Sequence, residues 1–159
     1  MVVLCGAIVF LCGYIGYLFS SRLKDHAEYF KEMVNLCSKL SLNLSFLQNK
    51  LPVVLETSIT NHKGDYAKTI SSFCEKLNTG VNCGVFLPEY ITDNERKTIE
   101  TFLHGLGKND AETEQQNVCN YKAVFQNCFE QANTKYSKNG RSIIKISGCV
   151  GLAIAILII

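Results

Sequence analysis

The stretch Ile143–Ile159, IIKISGCVGLAIAILII, holds seventeen residues and one charge, Lys145. At about 1.5 Å per residue a helix of that length spans roughly 25 Å, slightly short of a hydrocarbon core of about 30 Å. Lys145 stands close enough to the near edge to snorkel out of it. A core helix of a soluble domain keeps a polar face, and Ile154–Ile159 has none. Residues 143–159 are therefore read as a membrane helix. The other end of the chain answers it. Val2–Phe19 carries no charge and is apolar apart from Tyr14 and Tyr17. It lacks the basic start and the small-x-small cleavage site of a signal peptide. Neither Cys5 nor Cys12 has the small residue before it that lipid modification needs. Residues 1–19 are read as a retained first membrane helix.

Composition fits two anchors around one modest domain, since about 120 residues remain between the ends, enough for one small core. The net charge of +2 conceals an uneven layout. Arg22, Lys24, Lys135, Lys138, Arg141 and Lys145 flank the apolar ends, and no acidic residue follows Glu130. Lysines and arginines beside short spans mark the cytoplasmic side. The expected chain is thus all-α, an antiparallel helical bundle of residues 20–142 in the cytosol, flanked by N- and C-terminal transmembrane helices whose outer ends face away from it. Membrane lipid is an expected partner of the basic residues. Eight cysteines would suggest disulfides in a secreted domain, yet Cys5, Cys12 and Cys149 lie in the spans. The other five form no C-x-x-C pair and no metal-ligand spacing with His26, His62 or His104, so reduced buried thiols are expected.

Between the spans, Leu23, Phe30, Cys37 and Leu44 recur every seven residues, with His26, Met33, Leu40 and Leu47 in the d places and Ala27 and Val34 beside them. That stripe predicts a core-facing helix continuing from the membrane to about Lys50, with Pro52 forcing a break and a restart at the first helical position. Asn61–Asp65 reads as a loop, with Asp65 capping a helix that turns Tyr66, Ala67, Ile70, Phe73, Cys74 and Leu77 inward and ends at Gly80. Val81–Tyr90 holds one short turn of helix or none. Thr92-Asp-Asn-Glu95 is a capping box, opening a helix with Ile99, Phe102, Leu103 and Leu106 on its buried face, closed by Gly105 and Gly107. Asn109 or Asp110 then caps a final helix through Val118, Tyr121, Val124 or Phe125, Cys128 and Ala132. It carries Lys135, Lys138, Arg141 and Lys145 along one face toward the membrane, with Asn139-Gly140 as a place for an interruption.

Catalytic chemistry has no constellation here. Gly105-Leu-Gly107-Lys108 imitates a phosphate loop, but Phe102 stands where the first glycine belongs, Asn109 replaces Ser/Thr, and no strand precedes it. Glu112 and Glu114 sit in a first helical turn, where the macrodipole accounts for them. Basic and acidic residues alternate through the domain and there is no Trp, so nucleic-acid binding has no footprint. No cofactor is expected.

Phe102-Leu-x-x-Leu106-Gly107-x-x-Asp110, then Glu114-Gln115 and a helix ending in a basic turn and a glycine-bearing apolar tail, resembles the stage III sporulation protein AB family of endospore-forming bacteria. The resemblance extends over the whole chain in layout and is specific mainly from Thr92 onward. It implies a non-enzymatic membrane component of the mother cell, part of the channel or secretion-like complex around the engulfed forespore. It also implies a distant similarity to the F-type platform proteins of type II secretion, with other stage III proteins and the family's AA ring ATPase as partners and homo-oligomerisation left open. The same layout would serve a regulatory or sensor membrane protein.

Some positions depart from the family pattern. Glu114-Gln115 stands where two glutamines are usual, Ser41 and Asn43 where acidic residues are frequent, and Gly148 and Gly151 are three apart rather than four. At the turn, Gly107 permits a left-handed backbone and Asp110 pins the next helix start. Leu106, Gly107, Asp110, Glu114 and Gln115 are thus expected to form either an interhelical corner or a partner-binding site. Gly148 and Gly151 would allow close approach of another span.

Overall fold

The computed structural model describes residues 2–44, 51–60, 62, 64–79 and 84–158. Its regular elements there are all helical: α1 Val2–Leu42, α2 Leu51–Ile59, α3 Asp65–Thr79, α4 Asp93–Gly105, α5 Ala111–Lys135 and α6 Arg141–Ile158, with a π turn Tyr136–Gly140 between the last two. The chain divides into two compact units, Tyr29–Asn127 and Met1–Glu28 with Cys128–Ile159. Leu47 and the stretch to Lys50, Asn61, Gly80, and the first part of Val81–Tyr90 lie outside the described residues.

The unit Tyr29–Asn127 is built on the heptad stripe. Phe30, Met33, Cys37 and Leu40 of α1 are all buried, and Leu36 and Tyr29 widen the stripe. Phe30 meets Phe125 of α5 at 6.2 Å between ring centroids, and Phe125 stands edge-on to Phe102 of α4 at 5.3 Å. Tyr121 lies 5.1 Å from Phe102. Aromatic pairs in these tilted arrangements add to the large area each ring removes from water. The alternative left open by the spacing of α5 resolves to Phe125, which is fully buried, while Val124 is 42% exposed.

Helix starts follow the sequence closely at α4 and α5 and less so at α3. Thr92 is the N-cap of α4, and the Glu95 carboxylate accepts from the Thr92 N–H at 2.9 Å and from its hydroxyl at 2.7 Å. Pro52 is the second residue of α2, inside the first turn where its missing N–H costs nothing. Asp65 is the first residue of α3 rather than its cap. The carbonyl of Gly64, whose φ is 125°, accepts the first helical bond from Lys68, and Asp65 pairs with the Lys68 ammonium at 2.9 Å. On α3 the buried face includes Thr69, and Leu77 is 41% exposed. Residues 84–88 have no regular structure, but Leu87 and Ile91 are buried, so this connection contributes to the core.

In the other unit the first part of α1 packs with α6. Phe10, Leu11, Tyr14, Ile15, Tyr17, Leu18 and Phe19 are all exposed, as are Ile146, Val150 and Ile154. Among the described residues no helix is long and apolar enough to cross a membrane, so the two spans remain a reading of the sequences 2–19 and 143–159.

Candidate functional site

The corner between α4 and α5 brings together Leu106, Gly107, Asp110 and Glu114. Leu106 follows α4 with its N–H donating to the Leu103 carbonyl at 3.3 Å, and its side chain is buried. Gly107 then takes φ 76°, a left-handed value that reverses the chain at little cost only without a Cβ. Asp110 caps α5, its carboxylate accepting from the Thr113 N–H at 3.1 Å and its carbonyl from the Glu114 N–H at 2.9 Å. That backbone bond from Thr113 holds the Asp110 carboxyl below the usual carboxylate range.

Glu114 turns out to hold the corner shut. Its side chain is buried, and its two oxygens accept from the Gly107 N–H at 2.9 Å and from the Asn109 amide at 3.2 Å. The reading of Glu114 as a first-turn charge for the macrodipole missed this clasp. The signal was available, since a carboxylate one turn inside a helix, seven residues after a left-handed glycine, can reach back to that glycine's N–H. Gln115 is exposed and takes no part in it. Two recesses share Leu106, Glu114 and Val118 in their walls, one of about 170 Å³ reaching Phe102 and Tyr121, the other of about 150 Å³ reaching Leu40 and Leu51. With the carboxylate engaged by its own turn, the arrangement positions helices and walls but activates no nucleophile.

A second polar cluster lies among α1, α2 and α3. The Tyr29 hydroxyl donates to Thr69 Oγ1 at 3.2 Å and the Tyr66 hydroxyl to Ser58 Oγ at 3.3 Å. Burial pushes both phenols upward, Tyr66 to about 12. Glu32 takes bonds from Asn35 at 3.2 Å and lies 3.4 Å from His62 Nδ1. The two hydroxyl pairs are satisfied core groups of the kind a closed interior requires, whereas Asn35 is exposed and Glu32 and His62 are half-buried. Cys37 is likewise pushed up to about 12 by burial, which makes it a poor nucleophile. Among the described residues no cysteine is in a disulfide, and no group of three or more His, Cys, Asp or Glu is placed to hold a metal ion.

Between α1 and α6 the close contacts fall on small residues other than Gly148. The Ser147 hydroxyl donates to the Cys12 carbonyl, and a Cβ on Gly16 would stand 2.7 Å from Ser147 Cβ. A Cβ on Gly140 would meet Tyr136 at 2.9 Å and Ser20 Oγ at 3.1 Å. At Gly148 it would meet nothing within 4 Å. Close approach within the chain therefore runs through Gly16 and Gly140; the surroundings of Gly151 lie outside the described part. Cys12, Gly16 and Ser20, four apart, were the signal in the sequence. Of the basic residues, Arg22, Lys24, Lys135, Lys138 and Lys145 are exposed, with Lys24 paired to Glu28 at 3.5 Å. The Arg141 side chain lies outside the described part. The π turn separates Lys135 from Arg141, so their rotation about the axis differs from that of an unbroken α-helix.

Compared with known proteins, the chain matches the family described as stage III sporulation protein AB over residues 1–159. No curated protein and no solved structure matches it.

Proposed function

The chain belongs to the stage III sporulation protein AB family, and from that premise we propose that it is a membrane-held structural component of the stage III assembly between mother cell and forespore. Its role there is to offer a helical platform to the associated AA ring ATPase. The observation that carries the membrane part is the exposed apolar surface of the first helix. Phe10, Leu11, Tyr14, Ile15, Tyr17, Leu18 and Phe19 are between 44% and 75% exposed. At about 100° per residue they cover an arc of roughly 200° around α1. Cys12, Gly13, Gly16 and Ser20 fill the remaining side, where Gly16 meets Ser147 of α6 and Ser20 meets Gly140 of the π turn. Seven large apolar side chains over more than half a helix is too much for water, and hydrocarbon is the solvent it suits. Ile146, Val150 and Ile154 extend the same character to α6.

Under this reading Arg22, Lys24, Lys135, Lys138, Arg141 and Lys145 lie at the cytoplasmic headgroup level. Residues 20–142 are cytosolic, and Gly148, where an added Cβ would meet nothing within 4 Å, is open to spans of neighbouring copies or partners. The Leu106–Gln115 corner fixes the angle between α4 and α5 and leaves Gln115 and the recess at Phe102 and Tyr121 for contact with the ATPase. The decisive experiment immobilises the full chain in detergent and passes the purified ATPase over it. Retention, reduced by Gln115→Glu or Tyr121→Ala, supports the platform. No retention at high concentration removes it, and partition of the intact chain into buffer without vesicles or detergent removes the membrane part.

A further inference from the structure

On α1, Ile15, Leu18, Phe19 and Arg22 line a recess of about 250 Å³. They stand at i, i+3, i+4 and i+7, which places them on one face of the helix over about 10 Å of its length. The apolar three are 53%, 44% and 60% exposed, and Arg22 is exposed at the far end. The wall thus changes from hydrocarbon to guanidinium along a single direction. A free anion would meet Arg22 and leave the three apolar side chains in water. A partner helix able to cover those side chains would have to bury or displace the guanidinium, which is costly. An amphiphile whose acyl chain is joined to an anionic phosphate satisfies both ends at once. Arg22 is the first basic residue after the apolar stretch 2–19, the level at which a phosphate would lie. Its planar fork suits two phosphate oxygens.

We propose that this face of α1 binds one anionic phospholipid, with an acyl chain on Ile15, Leu18 and Phe19 and the phosphate on Arg22. The inference rests on the membrane reading given above and names the lipid class that reading leaves open. Lys24 is the natural control, being two residues further on, off this face, and paired with Glu28.

The test reconstitutes the full chain into zwitterionic vesicles carrying trace spin-labelled phosphatidylglycerol or spin-labelled phosphatidylcholine, and reads the motionally restricted fraction of each. The chain should hold the anionic probe over the zwitterionic one, with about fivefold of that preference, the worth of one cation at a charged lipid surface, belonging to Arg22. Arg22→Gln should lower the ratio about fivefold. Leu18→Trp, which fills the recess and keeps the charge, should do the same, whereas Lys24→Gln, off this face and paired with Glu28, should lower it clearly less. Equal retention of both probes by the parent chain, a ratio that either of the first two variants leaves unchanged or lowers no more than Lys24→Gln does, or full competition by soluble glycerol phosphate would each overturn the site. Failure of the parent chain to enter vesicles at all would sink the membrane reading instead, so the two failures are distinguishable.

Discussion

At Gly107 the backbone and the surroundings impose separate demands. Its φ of 76° is left-handed, and a Cβ there would stand 3.4 Å from Leu51 Cδ2. Gly107→Ala should cost about 1–2 kcal/mol in denaturant unfolding, chiefly from the backbone, and Gly107→Asn less, because Asn tolerates that region. Glu114 offers a sharper comparison. Glu114→Ala strips the Gly107 N–H of its acceptor and should cost about 1–3 kcal/mol, while Glu114→Gln keeps one acceptor oxygen and should lose clearly less. A Glu114→Ala variant as stable as the parent would show that the clasp does not hold the corner. Asp110 carries the pH dependence. Its folded carboxyl titrates lower than in the unfolded chain because the Thr113 N–H favours the charged form. The stability it contributes is therefore present above the ordinary carboxylate range and is lost as the pH falls through the lower folded value. Melting temperatures of the parent and Asp110→Asn should converge below about pH 4, since the amide keeps the cap oxygen and does not titrate. A gap that persists in acid would assign the cap's strength to something other than its charge.

Helix pairing separates what a sequence displays from what it conceals. The heptad of α1 was legible because Phe30, Met33, Cys37 and Leu40 are large or apolar and evenly spaced, and each is buried. The α4 face and the caps at Thr92 and Asp110 were legible because local chemistry fixes them within four residues. Three features escaped. Thr69 is buried on α3 where the Tyr29 hydroxyl donates to it inside the core, a tertiary demand that hydropathy cannot express. Glu114 was expected at the corner, but its clasp on Gly107 and Asn109 escaped because these partners lie seven and five residues away across a turn. Gly16 escaped because a glycine's neighbours are set by how two helices cross. The last miss gives a paired test. Gly16→Ala places a Cβ 2.7 Å from Ser147 and forces α1 and α6 apart, whereas Gly148→Ala enters open space and gains helix propensity of up to about 1 kcal/mol. In detergent the full-length Gly16→Ala chain should melt below the parent and Gly148→Ala at or above it. The reverse order would mean that the α1–α6 pairing goes through the other face.

For the whole molecule, the membrane-held arrangement proposed above also assigns a side to each part, and charge decides it. Both apolar ends have their lysines and arginines on the side joined to residues 20–142, and short spans place such flanks in the cytoplasm. One reversed span would put a basic cluster on the outer side, against that bias. The proposed arrangement, two spans with both termini outside and residues 20–142 inside, therefore predicts a labelling pattern in intact cells of variants that each keep one cysteine. A thiol replacing Val2, and one added after Ile159, should react with a membrane-impermeant maleimide. Cys119, exposed on α5 and native to the chain, should react only after the cells are permeabilised. Each position reports separately. Protection at one terminus alone would mean that its span re-enters or stops within the bilayer. α6 is the end at which that outcome would fall, because residues 143–159 are slightly short of the hydrocarbon thickness. Labelling of Cys119 from outside would invert the molecule, and would remove any cytosolic ATPase as a partner of the α4–α5 corner while leaving the corner's own architecture untouched.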